Sequence, residues 1–271
     1  MLWLNGALLD PSLARIDPAD RGFTLGDGVF ETIAVLAGIP RFLDQHLTRL
    51  RNGADLLGIR VPYDDEEIAA AITALLSARG LTGAALRITL SHGPGARGLA
   101  PPDPARPTLM ITAAPLPPPL PPARAVIART TCRNQHSPLA RIKSLNYLDN
   151  ILARREATAR GGDEAILLNT EGRVAEASIA NLFAVIAGVA ITPPVAEGAL
   201  PGIRRQEILA LGMAVERPLT VADLHGAEEI FLTSSLAIRP VAALDGTAMG
   251  NSVPGPITRA IIAASTGEDR G

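Results

Sequence analysis

The sequence is short of several things, and each shortage excludes a class of protein. One cysteine, Cys132, stands in 271 residues. No disulfide can form within the chain, and no cysteine-based metal cluster can be built. The four histidines (His46, His92, His136 and His225) are scattered without metal-ligand spacing, so no metal is expected. No apolar run approaches the roughly 20 residues of a membrane helix. The opening MLWLNGALLD reaches Asp10 before a signal-peptide core could form. A cytoplasmic protein without membrane association is therefore expected. The net charge of −2 leaves no basic footprint for nucleic acid. Aromatics are 3% of the chain, and lysine is scarce because the basic residues are nearly all arginine. What is present is 47% hydrophobic residues with 25 Gly and 23 Pro. That composition suits one large domain or two modest ones, compact and punctuated by loops.

Apolar periodicity divides the chain. Val35-Leu36, the turn at Gly38 to Pro40, and Arg41 to Leu43 read as a hairpin. From Asp44, Leu47, Leu50, Ala54 and Leu57 recur at helical steps until Gly58. A second helix is predicted from Asp64, with Glu67 as its capping-box partner, ending at Gly80. Leu86 to Ser91 and Thr108 to Thr112 read as strands around the glycine-rich loop HGPGARG. The run PLPPPLPP favours polyproline II and, set between apolar strands, reads as a stiff linker. Strands are expected at 125–129, 165–169 and 181–185, with helices over 145–160 and from Pro201-Gly202. STGEDRG reads as a frayed tail. The domains are expected at 1–114, a smaller N-terminal α/β domain, and 125–271, a larger one, joined by a linker over 115–124.

Five features could carry chemistry. Lys143, in ARIKSLNYLDN, is a retained amine in an arginine-rich chain, and nucleophilic amine chemistry is a task that arginine cannot do. Glu176 falls among small apolar residues, where a carboxylate needs a partner or a task. Arg49 flanks a buried helix stripe and has the fork geometry for a phosphate. The turn Leu200-Pro201-Gly202-Ile203-Arg204 feeds a helix N-terminus, and Thr233-Ser234-Ser235 follows a strand; both suit an anion. Alone, each has a plainer reading as a solvated charge or an ordinary turn. Together they are the set needed to hold pyridoxal 5'-phosphate: an amine for the Schiff base, a carboxylate for the ring nitrogen, and anion cradles for the phosphate.

Six segments in order carry a resemblance to a known family. DRGFTLGDGVFET (Asp20 to Thr32), HLTRL (His46 to Leu50), KSLNYL (Lys143 to Leu148), EGRVAEASIANLF (Glu171 to Phe183), PGIRRQ (Pro201 to Gln206) and TSSLAIRPV (Thr233 to Val241) resemble the motifs of class IV aminotransferases, the fold-type IV pyridoxal-phosphate enzymes. The resemblance implies a two-domain α/β (α+β type) subunit, with the cofactor in the interdomain cleft and a homodimer completing each site. It implies that Lys143 is the Schiff-base lysine and proton shuttle, and that Glu176 is the carboxylate of the pyridine nitrogen. Arg49, the backbone of Ile203 and Arg204, and Ser234 with Ser235 would hold the phosphate. Tyr147 would stand near the cofactor's 3'-oxygen, and Phe30 and Thr32 would line the substrate pocket. Arg204 stands where many members carry threonine.

Within the family, RITLSHGPGARGLAPP resembles the RGxGxRGY loop of 4-amino-4-deoxychorismate lyases. His92 and Leu99 depart from that pattern, while Arg97 keeps a carboxylate clamp. The best single reading is lyase-like, forming p-aminobenzoate and pyruvate. The alternative is an amino-acid transaminase of the D-amino-acid or branched-chain type, passing the amino group to a 2-oxo acid. Either acts on a small amino-acid-like substrate, contacted by Phe30, Thr32, His92 and Arg97.

Overall fold

The computed structural model describes residues 1–250 and 253–267, which fall into two units. The first takes Met1–Pro118 and Ile142–Asn146; the second takes Pro119–Arg141 and the chain from Tyr147. The break lies inside the proline run, where missing N–H groups prevent a sheet from continuing.

The first unit contains β1 (Leu2–Leu4), β2 (Ala7–Leu9), α1 (Arg21–Leu25), β3 (Gly28–Leu36), β4 (Ile39–Pro40), α2 (Leu43–Leu56), α3 (Asp65–Arg79), β5 (Ala84–Ser91) and β6 (Thr108–Pro115). Its sheet runs β2-β1-β6-β5-β3-β4, antiparallel throughout. Strand residues alternate between faces. Val29, Ile33 and Val35 of β3 and Leu86, Ile88 and Leu90 of β5 join the apolar stripes of α2 and α3 in one core. The opposite face carries Phe30, Thr32, Arg87 and Thr89. The capping box forms as predicted: Asp64 accepts from the Glu67 N–H, and Glu67 accepts from the Asp64 N–H, both at 2.8 Å. Residues 41–43 are not strand. Phe42, at φ 52°, turns the chain directly into α2.

The second unit contains β7 (Ala123–Ile127), α4 (Leu148–Ala159), β8 (Glu164–Leu168), β9 (Val174–Ala177), β10 (Asn181–Ile186), β11 (Val189–Thr192), α5 (Ile203–Ala210), β12 (Ala214–Glu216), α6 (Val221–His225), β13 (Glu229–Thr233), β14 (Ile238–Leu244), β15 (Thr247–Ala248) and α7 (Pro256–Gly267). Its mixed sheet runs β12-β11-β10-β13-β14-β7-β8-β9, with β15 on β14. One face packs with α6 through Leu182, Ile230 and Leu224. On the other, Phe183 and Phe231 stack at 4.8 Å and meet Ile208 of α5 and Ile261 of α7. Residues 265–267, expected in a frayed tail, form the last turn of α7; residues 268–271 lie outside the described residues. No helix among the described residues is long and apolar enough to cross a membrane.

The helix expected over 145–160 begins at Leu148. The Phe30 N–H donates to the Lys143 carbonyl and the Leu145 N–H donates to the Gly28 carbonyl, both at 2.9 Å. These bonds to β3 hold residues 143–145 extended, and they assign Ile142–Asn146 to the first unit although a C-terminal domain over 125–271 was expected.

Candidate active site

In the first unit the chemistry gathers around β3. Its bonds to residues 143–145 place the Lys143 ammonium 4.5 Å from the centre of the Phe30 ring. Arg87 of β5, opposite Thr32, lays its guanidinium over the same ring at 3.9 Å. A cation over an aromatic face is attracted by the ring's quadrupole. One ring thus carries the sole lysine of the chain and a permanently charged fork. Phe30, Thr32 and Lys143, all predicted, are gathered here. Arg87 was not predicted, although its place between Leu86 and Ile88 puts it on the face opposite the core.

Glu31 points to the other side of β3 and is fully buried. It accepts from Arg49 Nε at 2.8 Å and Arg49 Nη2 at 2.7 Å, and His46 Nδ1 stands 2.6 Å away. Burial alone would raise the Glu31 carboxyl, but hydrogen bonds from Arg49 and His46, with their charges, outweigh it. The carboxyl lies below its ordinary 4.5. Arg49, predicted as a phosphate ligand, therefore directs two of its donors to a buried carboxylate that the sequence reading overlooked. Glu31→Ala should cost about 3–5 kcal/mol, as is usual when a buried ion pair is broken on one side. Because the folded value is depressed, the Glu31 contribution is complete above the ordinary value and fades as pH falls through the lower folded one. In urea unfolding, the gap between wild type and variant should be widest near neutrality and shrink in acid. A gap independent of pH would contradict the ionised cluster.

His92 and Arg97, both predicted near substrate, differ in setting. His92 is buried, with Nδ1 3.1 Å from Asp27 Oδ2, an oxygen that also accepts from Arg21 Nε at 2.7 Å. Its ring faces a structural carboxylate. Arg97 lies exposed on the loop beyond it.

In the second unit Glu176 is buried on β9. Its Oε1 lies 3.1 Å from Arg133 Nε, and its Oε2 accepts from the Leu200 N–H at 2.9 Å. A cation and an amide donor favour the charged carboxylate. Arg133 comes from a loop with no sequence signal. Of the two segments expected as anion cradles, residues 200–202 lead into α5 and residues 233–235 span the end of β13 and the chain after it. Gly202 caps α5 with no side-chain hydrogen bond, so no side chain occupies the cap of this helix. A Cβ there would lie 1.9 Å from Asn181 Oδ1, so any other residue at 202 would force the Asn181 side chain to move. The Arg204 guanidinium pairs with Glu207 at 2.7 Å, which leaves Ile203 and Arg204 to be judged by their backbone. Thr233, at the end of β13, has a buried hydroxyl with no hydrogen-bond partner. Ser234 accepts from the N–H groups of Leu236 and Ala237 at 3.3 Å, while Ser235 is half-buried beside it. Tyr147 sits half-buried at the N-cap of α4.

The family model "Amino-transferase class IV" matches residues 28–244, and the chain belongs to that family of enzymes. The D-alanine aminotransferase of Bacillus licheniformis is 30% identical, over 94% of this chain and 92% of its own. The 4-amino-4-deoxychorismate lyase of Pseudomonas aeruginosa superposes with a TM-score of 0.84 at 31% identity, covering 99% of both chains. The T.th. branched-chain amino acid aminotransferase, solved with N-(5'-phosphopyridoxyl)-L-glutamate, gives 0.87 at 28% identity, covering 98% of this chain and 94% of that one. These likenesses carry the fold-type IV architecture expected from the motifs.

Proposed function

We propose that the enzyme is a pyridoxal-phosphate-dependent aminotransferase moving the amino group of a small amino acid to a 2-oxo acid. The observation that carries this reading is the shared Phe30 ring, with Lys143 Nζ at 4.5 Å and the Arg87 guanidinium at 3.9 Å. An amino acid calls for that pair: an amine to exchange with Lys143 and a carboxylate to meet a guanidinium. The residues present fit the cofactor: Lys143 for its carbonyl, Glu176 for its ring nitrogen, and the N-terminus of α5 with Thr233 to Ser235 for its phosphate. Arg49 is assigned to the phosphate as well, with Glu31 fixing its fork.

Pyridoxal phosphate supplies a carbonyl that condenses with amines and a conjugated ring that accepts the electron pair left at the substrate α-carbon. Lys143 first anchors the cofactor. Its Nζ, when free, would be the base that takes the proton from the substrate α-carbon and the acid that gives it back. Glu176, fixed by Arg133 and the Leu200 N–H, would face the ring nitrogen and favour a proton there. Tyr147 is assigned to the 3'-oxygen, and Phe30 and Thr32 to the walls beside the substrate. The exposed apolar side chains Leu148, Ile151 and Leu152 of α4 and Ile179 beyond β9 support the homodimer that the family resemblance implies.

The lyase reading draws support from the Pseudomonas lyase's likeness over the whole chain and from Arg97 in the matching loop. Against it stands His92, whose buried ring is turned to Asp27. One assay set separates the two. D-Alanine and branched-chain amino acids, each given with 2-oxoglutarate, should yield their oxo acids, while an aminodeoxychorismate source should yield no p-aminobenzoate. Formation of p-aminobenzoate and pyruvate without oxo acids would assign the lyase instead.

A further inference from the structure

The Arg21 guanidinium is buried, yet it serves neither the core nor the cluster at Glu31. Its Nε holds Asp27 at 2.7 Å. Its Nη1 donates to the carbonyls of Gly98 at 3.2 Å and Ala100 at 3.0 Å, and its Nη2 donates to that of Leu99 at 3.1 Å. Three consecutive carbonyls of an exposed loop thus converge on one planar fork, a geometry that an ammonium cannot reproduce from a single nitrogen. The anchor is itself fixed. The Arg21 N–H donates to the Gly93 carbonyl at 2.9 Å. Neighbouring Asp20 is buried and accepts from Ser91 at 2.9 Å and Thr108 at 2.7 Å. Asp27 in turn is shared with His92. Gly95 packs so closely on the Arg21 stem that a Cβ there would stand 3.1 Å from Arg21 Cδ. Residues 96–101 have little else to hold them, and Arg97 is the cation within that stretch.

We propose that Arg21 is a positioning residue for specificity. By tying the carbonyls of Gly98, Leu99 and Ala100, it fixes the loop that presents Arg97 to a substrate carboxylate. The inference rests on the functional reading only for a substrate that bears a carboxylate, and it adds Arg97 to Arg87 as a cation for it; the tether itself is independent of that reading. His92 then acts through Asp27 on the same latch, which explains its burial on a loop expected to face substrate.

The test uses the full-length holoenzyme and Arg21→Lys, which keeps a cation beside Asp27 and removes the fork. Two measurements are made. One is the rate of tryptic cleavage at Arg97–Gly98, relative to cleavage after exposed Arg60. The other is kcat and KM for the amino donor. The expected result is clipping at Arg97 faster by about tenfold or more, with KM raised about tenfold and kcat within about twofold. Arg97→Ala should raise KM to a similar degree. Unchanged clipping overturns the tether. Faster clipping with unchanged KM, where Arg97→Ala still raises KM, overturns the specificity role. If Arg97→Ala also leaves KM unchanged, the assignment of Arg97 to substrate fails while the tether stands. Circular dichroism of Arg21→Lys checks the fold. Should that variant unfold, Asp27→Asn, which loosens the same guanidinium, carries the two measurements with the same outcomes.

Discussion

Lys143→Ala should leave a folded protein that no longer attaches pyridoxal phosphate and turns over about 10²–10⁴-fold more slowly, the usual worth of a positioned proton-transfer group. The fold should survive because β3 is paired with this segment through the Lys143 carbonyl and the Leu145 N–H, which alanine retains. What goes is the only lysine in 271 residues. No arginine can take over, since a guanidinium stays protonated and cannot act as an amine nucleophile. The yellow colour of the attached cofactor should vanish with the side chain. Retained colour and turnover would show that the amine at position 143 is not the one used.

Glu176→Gln should bind the cofactor and lose turnover by about 10²–10³-fold, the scale seen when one fixed electrostatic stabiliser is removed. Two consequences of the change point the same way. The amide cannot carry the charge that holds a proton on the ring nitrogen, so the ring becomes a poorer electron sink. Arg133, 3.1 Å away, also loses its counter-ion in a largely buried place. The contrast with Lys143→Ala is informative, because here colour persists while turnover falls. Near wild-type turnover in Glu176→Gln would remove this carboxylate from the chemistry.

Local signals were legible in the sequence where local physics decides. The α3 capping box, the helical stripe of α2 and the strands β5, β8 and β10 follow from spacing within a few residues. Lys143, Glu176 and the turn at Gly202 each have a plainer reading alone and could be singled out because they occur together, in the order of the family's motifs. The remainder depends on partners distant in sequence. Leu145 to Tyr147 have helical propensity, but hydrogen bonds from β3, more than a hundred residues earlier, hold the chain extended up to Leu145. Arg87 reads as a strand surface residue until Phe30 is set against it from the neighbouring strand. Glu31 hides beside Phe30 because its significance lies with His46 and Arg49 on α2. His92 drew attention as a departure in a substrate loop. Its ring instead turns to Asp27, a contact across 65 positions of sequence that no spacing rule reaches.

Whether Lys143 is the residue that bears the cofactor is read most directly from the site of a reduced label. The enzyme loaded with pyridoxal phosphate is reduced with borohydride, digested with trypsin and mapped by mass spectrometry. Besides the terminal amine, Lys143 is the chain's only primary amine, so the assignment is unambiguous. The expected result is a phosphopyridoxyl group on the peptide from Ile142 to Arg154, uncleaved after Lys143 because its amine is blocked. An unmodified Lys143, cleaved normally and with the label absent or at the N-terminus, would contradict it.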